Sequence, residues 1–293
     1  GGQLPAKLAL ARAAREAGVK AVLVGEGADE LLGGYPHLLM DFRRAAGLSA
    51  CSHGDTISSG VMVPSARAPH LPQVVALLGA VPSFLSAKAA FGATLAELLR
   101  PEVRETWAKR DPFAALLAEV GVEANLEGRH PVDQAAWLWS QLALGRYILE
   151  TLGDGTEMAA SLEGRVPFLD HTVAELCCQI PVEQKIRPVE SAHDGDELMA
   201  KAVLRNVAKP LLPTETQRRV KQPLLAPPVT VFSGSHGKDW IGDMLASEAF
   251  CAQPFFQPAA ARRWWHSLEG RGDRASLQGA EAALMTMVTA ALL

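Results

Sequence analysis

The chain has 293 residues, 48% hydrophobic and 20% charged, with a formal net charge of −4. That length suits one large domain or two small ones with a sizeable core, and the mild acidity excludes the basic surface on which nucleic-acid binding rests. Cys51, Cys177, Cys178 and Cys251 show neither metal-ligand spacing nor a disulfide framework. Cys177 and Cys178 fall in an apolar, helix-like run and read as buried free thiols, which suits a reducing compartment. The start, Gly1-Gly-Gln-Leu-Pro5, has no charged region followed by an apolar one and is no signal peptide. The apolar run from Ala280 to Leu293 is too short and interrupted to span a bilayer. A cytoplasmic protein with no membrane partner is expected.

Pro5 to Ala17 reads as a helix stopped by Gly18. Ala21 to Val24 reads as a buried strand. Helix, glycine, short strand and acid loop make half of a βαβ unit without its first strand, so the chain is expected to begin inside a fold. From Gly25 to Tyr35 lie Gly25, Gly27, Gly33 and Gly34, with Glu26, Asp29 and Glu30 among them. An open α/β sheet places its chemistry just beyond the carboxyl ends of its strands. Gly25 and Gly27 let a ligand approach the backbone, and the three acids are expected at the rim of the sheet. Grouped hard oxygens suit Mg²⁺ shared with phosphate, or accept a proton from a nucleophile. Asp29 and Glu30 equally favour the N-terminus of a short helix from Ala28 to Leu32, and spacing alone leaves both uses open.

A helix from His37 to Ala46 gives way to an irregular loop, Asp55 to Ala66. Helical patterns then cover Leu71 to Leu78, Ser83 to Ala90, Thr94 to Leu99 and Pro112 to Val120, a helical insertion without visible chemistry. His53 and His70 have no ligand-spaced partners, and Trp107 reads as core. Pro131 to Leu152 is apolar nearly all round and reads as a buried helix. It leads into Leu152-Gly-Asp-Gly-Thr-Glu-Met158, where a helix-terminating turn on Gly153 or Gly155 competes with a functional Asp154. In Ser161-Leu-Glu-Gly-Arg-Val-Pro-Phe-Leu-Asp170, Glu163 and Arg165 suit one charged network, Pro167 pushes Val166 toward extended geometry, and Asp170 reads as the N-cap of a helix from Thr172 to Cys178. Gly195 to Ala208 is a helix candidate carrying Lys201 and Arg205, and Pro213 begins a further short one. Arg218-Arg-Val-Lys-Gln-Pro223 reads as a solvated turn or as a cationic lid over phosphate. Trp240, Trp264 and Trp265 read as packing, with closing helices at Pro258 to Leu268 and Ala275 to Leu292.

Gly25-Glu-Gly-Ala-Asp-Glu-Leu-Leu-Gly-Gly-Tyr35, Asp154 to Met158, Ser161 to Asp170, Lys201-Ala-Val-Leu-Arg205, Leu212-Pro213 and Arg218 to Pro223 together resemble the synthetase domain of glutamine-hydrolysing asparagine synthetases. The blocks stand in that family's order and span Leu4 to about Pro228. The resemblance implies an α/β fold with an adenine-nucleotide alpha hydrolase-like (Rossmann-like) parallel sheet, incomplete at its N-terminus, and a large helical portion. Residues 1–293 would form one partial synthetase domain, with 37–130 as the helical insertion. The implied reaction activates the aspartate side-chain carboxylate with ATP and Mg²⁺ as an acyl-adenylate, and glutamine-derived ammonia then displaces AMP to give asparagine.

Residue by residue, the resemblance places Asp29 on Mg²⁺ with pyrophosphate and Glu26 beside the activated acyl group, suited to deprotonating or orienting ammonia. Gly25 and Gly27 would lie near the nucleotide, Asp154 on the acceptor side, and Lys201 and Lys221 against phosphate oxygens, Lys221 being the closer match. The family's Ser-Gly-Gly-x-Asp-Ser phosphate loop and its N-terminal glutaminase domain have no counterpart here, and Gly155 stands where many members carry arginine. The chain therefore reads as truncated, with little ATP-dependent activity alone and with unpaired sheet edges. The missing parts would come from the same precursor or a companion chain, and a homodimer is the assembly considered. The alternatives are a natural-product amide-forming ligase of the same fold and a non-catalytic partner subunit.

Overall fold

The computed structural model describes residues 3–48, 68–189, 197–219, 240–268 and 274–292. Helix α1 (Gln3–Glu16) leads through Gly18, whose φ of 84° only glycine adopts freely, into strand β1 (Ala21–Leu23). Next come α2 (Ala28–Leu32) and α3 (Pro36–Ala45). A helical stretch contains α4 (Pro72–Leu78), α5 (Ser83–Leu98), α6 (Pro101–Ala108), α7 (Pro112–Val120) and α8 (Val122–Leu126). Proline in the first turn starts α3, α4, α6 and α7, where the missing N–H has no intrahelical partner to lose. Gly92 does not divide α5, so the two helices expected there are one; eight alanines and leucines outweigh the cost of one glycine.

Helix α9 (Pro131–Trp139) continues as a π-helix, Ser140–Asp154, and then as α10 (Gly155–Ala159). The backbone stays helical through Gly153 and Gly155, so no turn is built on either; a Cβ on Gly155 would lie 3.1 Å from the Glu150 carbonyl oxygen. Nor is this stretch buried all round: Val132, Gln134, Ala135, Leu138 and Trp139 of α9 are buried, but Asp133 and Trp137 are only partly so, and Tyr147 in the π-helix is 43% exposed. Strand β2 (Glu163–Arg165) follows, then a 3₁₀ turn (Pro167–Leu169), α11 (His171–Gln179), α12 (Val182–Lys185), β3 (Arg187–Pro188) and β4 (Leu198–Met199). Asp170 caps α11 by accepting from the Thr172 and Val173 amides. The helix expected from Gly195 shrinks to α13 (Ala202–Ala208), because Leu198 and Met199 pair antiparallel with β3. The chain closes with α14 (Thr214–Arg218), α15 (Trp240–Ala246), α16 (Glu248–Ala252), α17 (Pro258–His266) and α18 (Arg274–Leu292). The expected loop at 55–66, including Ser59-Gly60 and His53, and Cys51 lie outside the described residues.

The result is a mostly helical α/β structure around a small parallel sheet. Ala21, Val22 and Leu23 pair with Glu163, Gly164 and Arg165. Strand β1 is not buried as its apolar run predicts: Leu23 is 77% exposed, since among the described residues only β2 pairs with it and nothing covers that face. Two apolar cores lie away from this sheet. One packs α3, α4, α5, α7, α8 and α9 around Leu38, Phe84, Leu117, Leu126 and Leu138; the other packs α15 to α18 around Leu245, Phe250, Trp265 and Met287. Helix α5 contributes to both, Phe84 to the first and Leu98 to the second. Three expectations about side chains change. Cys178 is exposed while Cys177 is buried. Trp107 is exposed beneath the Arg110 guanidinium, 4.9 Å from its ring centre, and Trp240 is exposed while Trp265 is core.

A buried acid ties α3 to the start of α5. Asp41, with no exposed surface, accepts from the Ser83 amide at 3.0 Å, the Ser83 hydroxyl at 2.7 Å and Arg44 Nη2 at 2.7 Å. Burial outweighs these contacts and lifts its pKa to about 6. The folded protein then holds a proton that the unfolded chain has released, so stability falls as pH rises between about 4 and 6, by up to ~3 kcal/mol. Asp41→Asn is expected to flatten that part of the curve in urea unfolding at stepped pH. An unchanged slope in the variant would remove Asp41 as its source.

Candidate active site at the tip of the parallel sheet

The candidate site begins where β1 ends. Val24 donates to the Arg165 carbonyl at 2.9 Å, carrying the ladder one residue past the strand. The chain then turns through Gly25, Glu26 and Gly27. Gly27 has a φ of 91° and lies against the Leu169 side chain, which any Cβ there would strike. No side chain could hold both that backbone angle and that contact, so the turn into α2 is set by glycine. Gly25 has open space around its Cα.

The three acids of this loop part company. Glu26 Oε1 accepts from Lys7 Nζ of α1 at 2.7 Å, and both side chains are about three-quarters buried. Asp29 Oδ1 accepts from Lys201 Nζ at 2.8 Å, again a mostly buried pair. Glu30 instead turns inward, 5% exposed, and accepts from the Tyr35 hydroxyl at 2.8 Å. Burial raises the Glu30 pKa, and burial followed by the Glu30 charge pushes Tyr35 well above its ordinary range. The Tyr35 ring stacks on His37 and meets Trp139 edge-on, with Phe84 beyond. Glu30 is thus a packing group, not a rim acid as its neighbours suggest.

Lys201 reaches Asp29 from an unusual backbone. Its φ of 52° is left-handed, which a non-glycine residue adopts at a cost of ~1 kcal/mol. It stands at the N-terminal boundary of α13 and packs its stem against Gly34. A Cβ on Gly34 would strike both Asp29 Oδ1 and Lys201 Cε. Glycine at 34 is therefore a condition of the Lys201–Asp29 pair.

Asp154 ends the π-helix with its side chain exposed, and one turn later Glu157 of α10 is 8% exposed. The Glu157 carboxylate lies against Gly164 of β2, where a Cβ would collide with it. Burial raises its pKa; Lys7 opposes the shift, and Asp154 and Glu26 add to it. So α1, β1, β2 and α10 bring Glu26, Lys7, Asp154 and Glu157 into one electrostatic neighbourhood. Sequence reading singled out Glu26 and Asp154 but missed Lys7 and Glu157. Lys7 looks like any solvated helix cation, and no spacing rule links it to a strand tip. Lys221 lies outside the described residues, so its place relative to Asp29 is not described. Exposed Glu163 and Arg165 form the expected pair at 2.9 Å.

A family model described as asparagine synthase matches residues 3–291. The chain belongs to the asparagine synthase family. It is 31% identical over 224 residues to a putative glutamine-hydrolysing asparagine synthetase of Mycobacterium tuberculosis, covering 74% of this chain and 31% of that protein. It is 27% identical over 251 residues to a Gibberella zeae protein named amidase chry2, covering 75% of this chain and 34% of that one. The corresponding figures for amidase chyE of Penicillium rubens are 26% over 247 residues, 75% and 34%. The chain thus spans about a third of the length of these curated relatives. No solved structure matches it.

Among the described residues, no group of three His, Cys, Asp or Glu side chains forms a metal site by itself, and no helix is long and apolar enough to cross a membrane. Asp29 offers one hard oxygen beside an ammonium. That donor set fits a Mg²⁺ ion that takes its other ligands from phosphate and water.

The two loop glycines separate packing from openness. Gly34→Ala is expected to cost about 1 to 3 kcal/mol, because the methyl forces the Asp29–Lys201 pair apart. Gly25→Ala, in open space, should stay within about 0.5 kcal/mol. Chemical denaturation of both variants checks this, and equal losses would contradict the assigned geometry.

Proposed function

We propose that this chain is the amide-forming part of an ATP-dependent ligase with a Rossmann-like, adenine-nucleotide alpha hydrolase-like sheet, and that its acceptor is the side-chain carboxylate of aspartate. The observation that carries the reading is the pair of ion pairs at the tip of β1, Lys7–Glu26 and Lys201–Asp29, three residues apart on one loop. Membership of the asparagine synthase family supports it.

In this reading the acceptor carboxylate displaces pyrophosphate from the α-phosphate of ATP, and ammonia derived from glutamine then displaces AMP from the acyl carbon. Asp29 would hold Mg²⁺, which would supply neutralisation of phosphate charge. Lys201, already against Asp29, donates to the phosphate oxygens once they arrive. Lys221 supplies a second cation. Glu26, held by Lys7 at the strand tip, orients ammonia and takes the proton it loses on forming the amide. Gly25 and Gly27 leave the backbone open to the nucleotide. A preorganised contact of this kind is worth ~3 kcal/mol, on the order of a hundredfold in rate. The glutaminase activity and phosphate loop are supplied by sequence outside these residues, in the same polypeptide or a companion chain, and residues 37–130 are the insertion within the synthetase domain.

A second reading keeps the chemistry and changes the acceptor. Glycine at 155, where many family members carry arginine, and the likeness to two proteins named amidases favour an acceptor other than aspartate.

Pyrophosphate exchange into ATP, run with a panel of carboxylates on the polypeptide or complex that includes the phosphate loop, tests both. Exchange dependent on aspartate supports the first reading; exchange dependent only on another carboxylate selects the second, and none with any carboxylate removes both. Asp29→Asn is expected to lower exchange about a hundredfold, and Lys221→Ala to abolish product formation with the fold intact. Glu26→Gln should keep exchange while slowing amide formation by on the order of 10² or more, a split that a purely structural Glu26 would not produce.

A further inference from the structure

Among the described residues, Lys201 and Ser161 are the two non-glycines with a left-handed backbone. Lys201 has φ 52° and ψ 40°. A residue with a Cβ keeps such torsions only where its surroundings impose them. The β3–β4 ladder does not impose them, because it ends at Met199. Packing fixes where α13 sits, since Ala202 has no exposed surface, but it does not by itself fix the peptide that precedes Lys201.

Peptide units are planar, so the two torsions of a residue are the orientations of the two units that flank it. For Lys201 those units carry the Ala200 and Lys201 carbonyls, and Arg205 holds both. Its Nε–H donates to the Ala200 carbonyl at 3.0 Å, and its backbone amide donates to the Lys201 carbonyl at 2.9 Å. The second bond opens α13, and any residue but proline would make it. The first needs a side chain that reaches back five residues, the direction in which helical side chains lean. Arg205 is oriented from its far end as well. Its Nη1 donates to the Gln217 carbonyl at 3.3 Å, and the Gln217 side-chain amide donates to the Lys209 and Leu212 carbonyls at 2.7 Å each. The guanidinium therefore bridges the entry to α13 and the end of α14. It is exposed, and its printed acceptors are carbonyl oxygens, which suits a rigid planar fork better than a flexible ammonium. Relaxing either torsion at Lys201 re-aims its Cα–Cβ bond. That withdraws the stem from Gly34 and the ammonium from Asp29 Oδ1, now 2.8 Å away.

We propose that Arg205 is a positioning residue for Lys201: its side chain fixes the peptide unit before that lysine, keeps the lysine left-handed, and so holds the ammonium on Asp29, ready for phosphate. The hydrogen bonds alone carry the placement of Lys201; the use of its ammonium on phosphate rests on the amide-forming reading.

Two measurements on Arg205→Ala and Arg205→Lys, each checked for folding by circular dichroism, test this. The first is competitive labelling of the purified protein with isotopic acetic anhydride, read by mass spectrometry as the reactivity of Lys201 relative to exposed Lys109. The parent shields Lys201 through its pair with Asp29, and either variant should raise its relative reactivity roughly tenfold. Arg205→Lys keeps the charge but not the fork, so parent-like labelling of Lys201 in either folded variant overturns the proposal. The second is pyrophosphate exchange into ATP on the polypeptide or complex that includes the phosphate loop. Arg205→Ala should lower exchange about tenfold in the parent and leave the residual exchange of Lys201→Ala unchanged. Equal losses in both backgrounds would show Arg205 acting by itself and overturn the proposal. A parent without exchange on any carboxylate, beside variants in which labelling finds Lys201 released, removes the ligase reading and leaves the positioning role standing.

Discussion

The parallel pairing of β1 with β2 is the constraint on which the rest of this site depends. It joins residues some 140 positions apart, Ala21 with Glu163 and Leu23 with Arg165, through only three residue pairs. Closing so long a loop is costly in chain entropy, though the cost grows slowly with length. So short a ladder needs support from outside, and it comes from α1 and α10, which pack together beside it and bring Lys7 to Glu26 and Glu157 to Gly164. The same pairing aims the loop from Gly25 to Gly34 away from the sheet's end, where an open α/β sheet collects its ligands.

Glycine and burial then sort the charges. Gly27 sets the turn, Gly34 admits the Asp29–Lys201 pair, and Gly164 admits Glu157. Each absent Cβ is filled by a polar side chain or by Leu169, not by solvent. Burial decides what each acid can do. Glu30 is drawn into the aromatic cluster of Tyr35, His37 and Trp139 and serves packing. Glu26 and Asp29 stay partly open to solvent, each against a lysine. Isolated surface pairs contribute little to stability. These four side chains are each only about a quarter exposed, so the two pairs are better shielded from solvent than surface pairs are.

The two apolar cores lie in the helical part, and α5 spans from one to the other. Phe250, Leu245 and Met287 in one and Leu38 and Leu138 in the other have essentially no exposed surface, whereas Leu10, Leu23 and Met158 around the sheet are largely exposed. The stable mass of the molecule is therefore helical, and the small parallel sheet sits at its margin.

Much of this was legible in the residues. Gly25 to Tyr35 announced a strand tip with acids, α2 fell where its charges and glycines placed it, and Asp170 capped α11, because turns and caps depend on residues a few positions apart. Family membership was legible too, from blocks kept in order. Tertiary structure decided the rest. No local pattern shows that Glu-Gly-Arg at 163–165 is a strand, that Glu30 faces inward while Asp29 does not, or that Lys7 reaches Glu26 at the end of β1 while Glu157 packs against Gly164. These depend on which distant segments share a ladder or a burial boundary, and a side chain's partner across such a contact leaves no trace in the residues beside it.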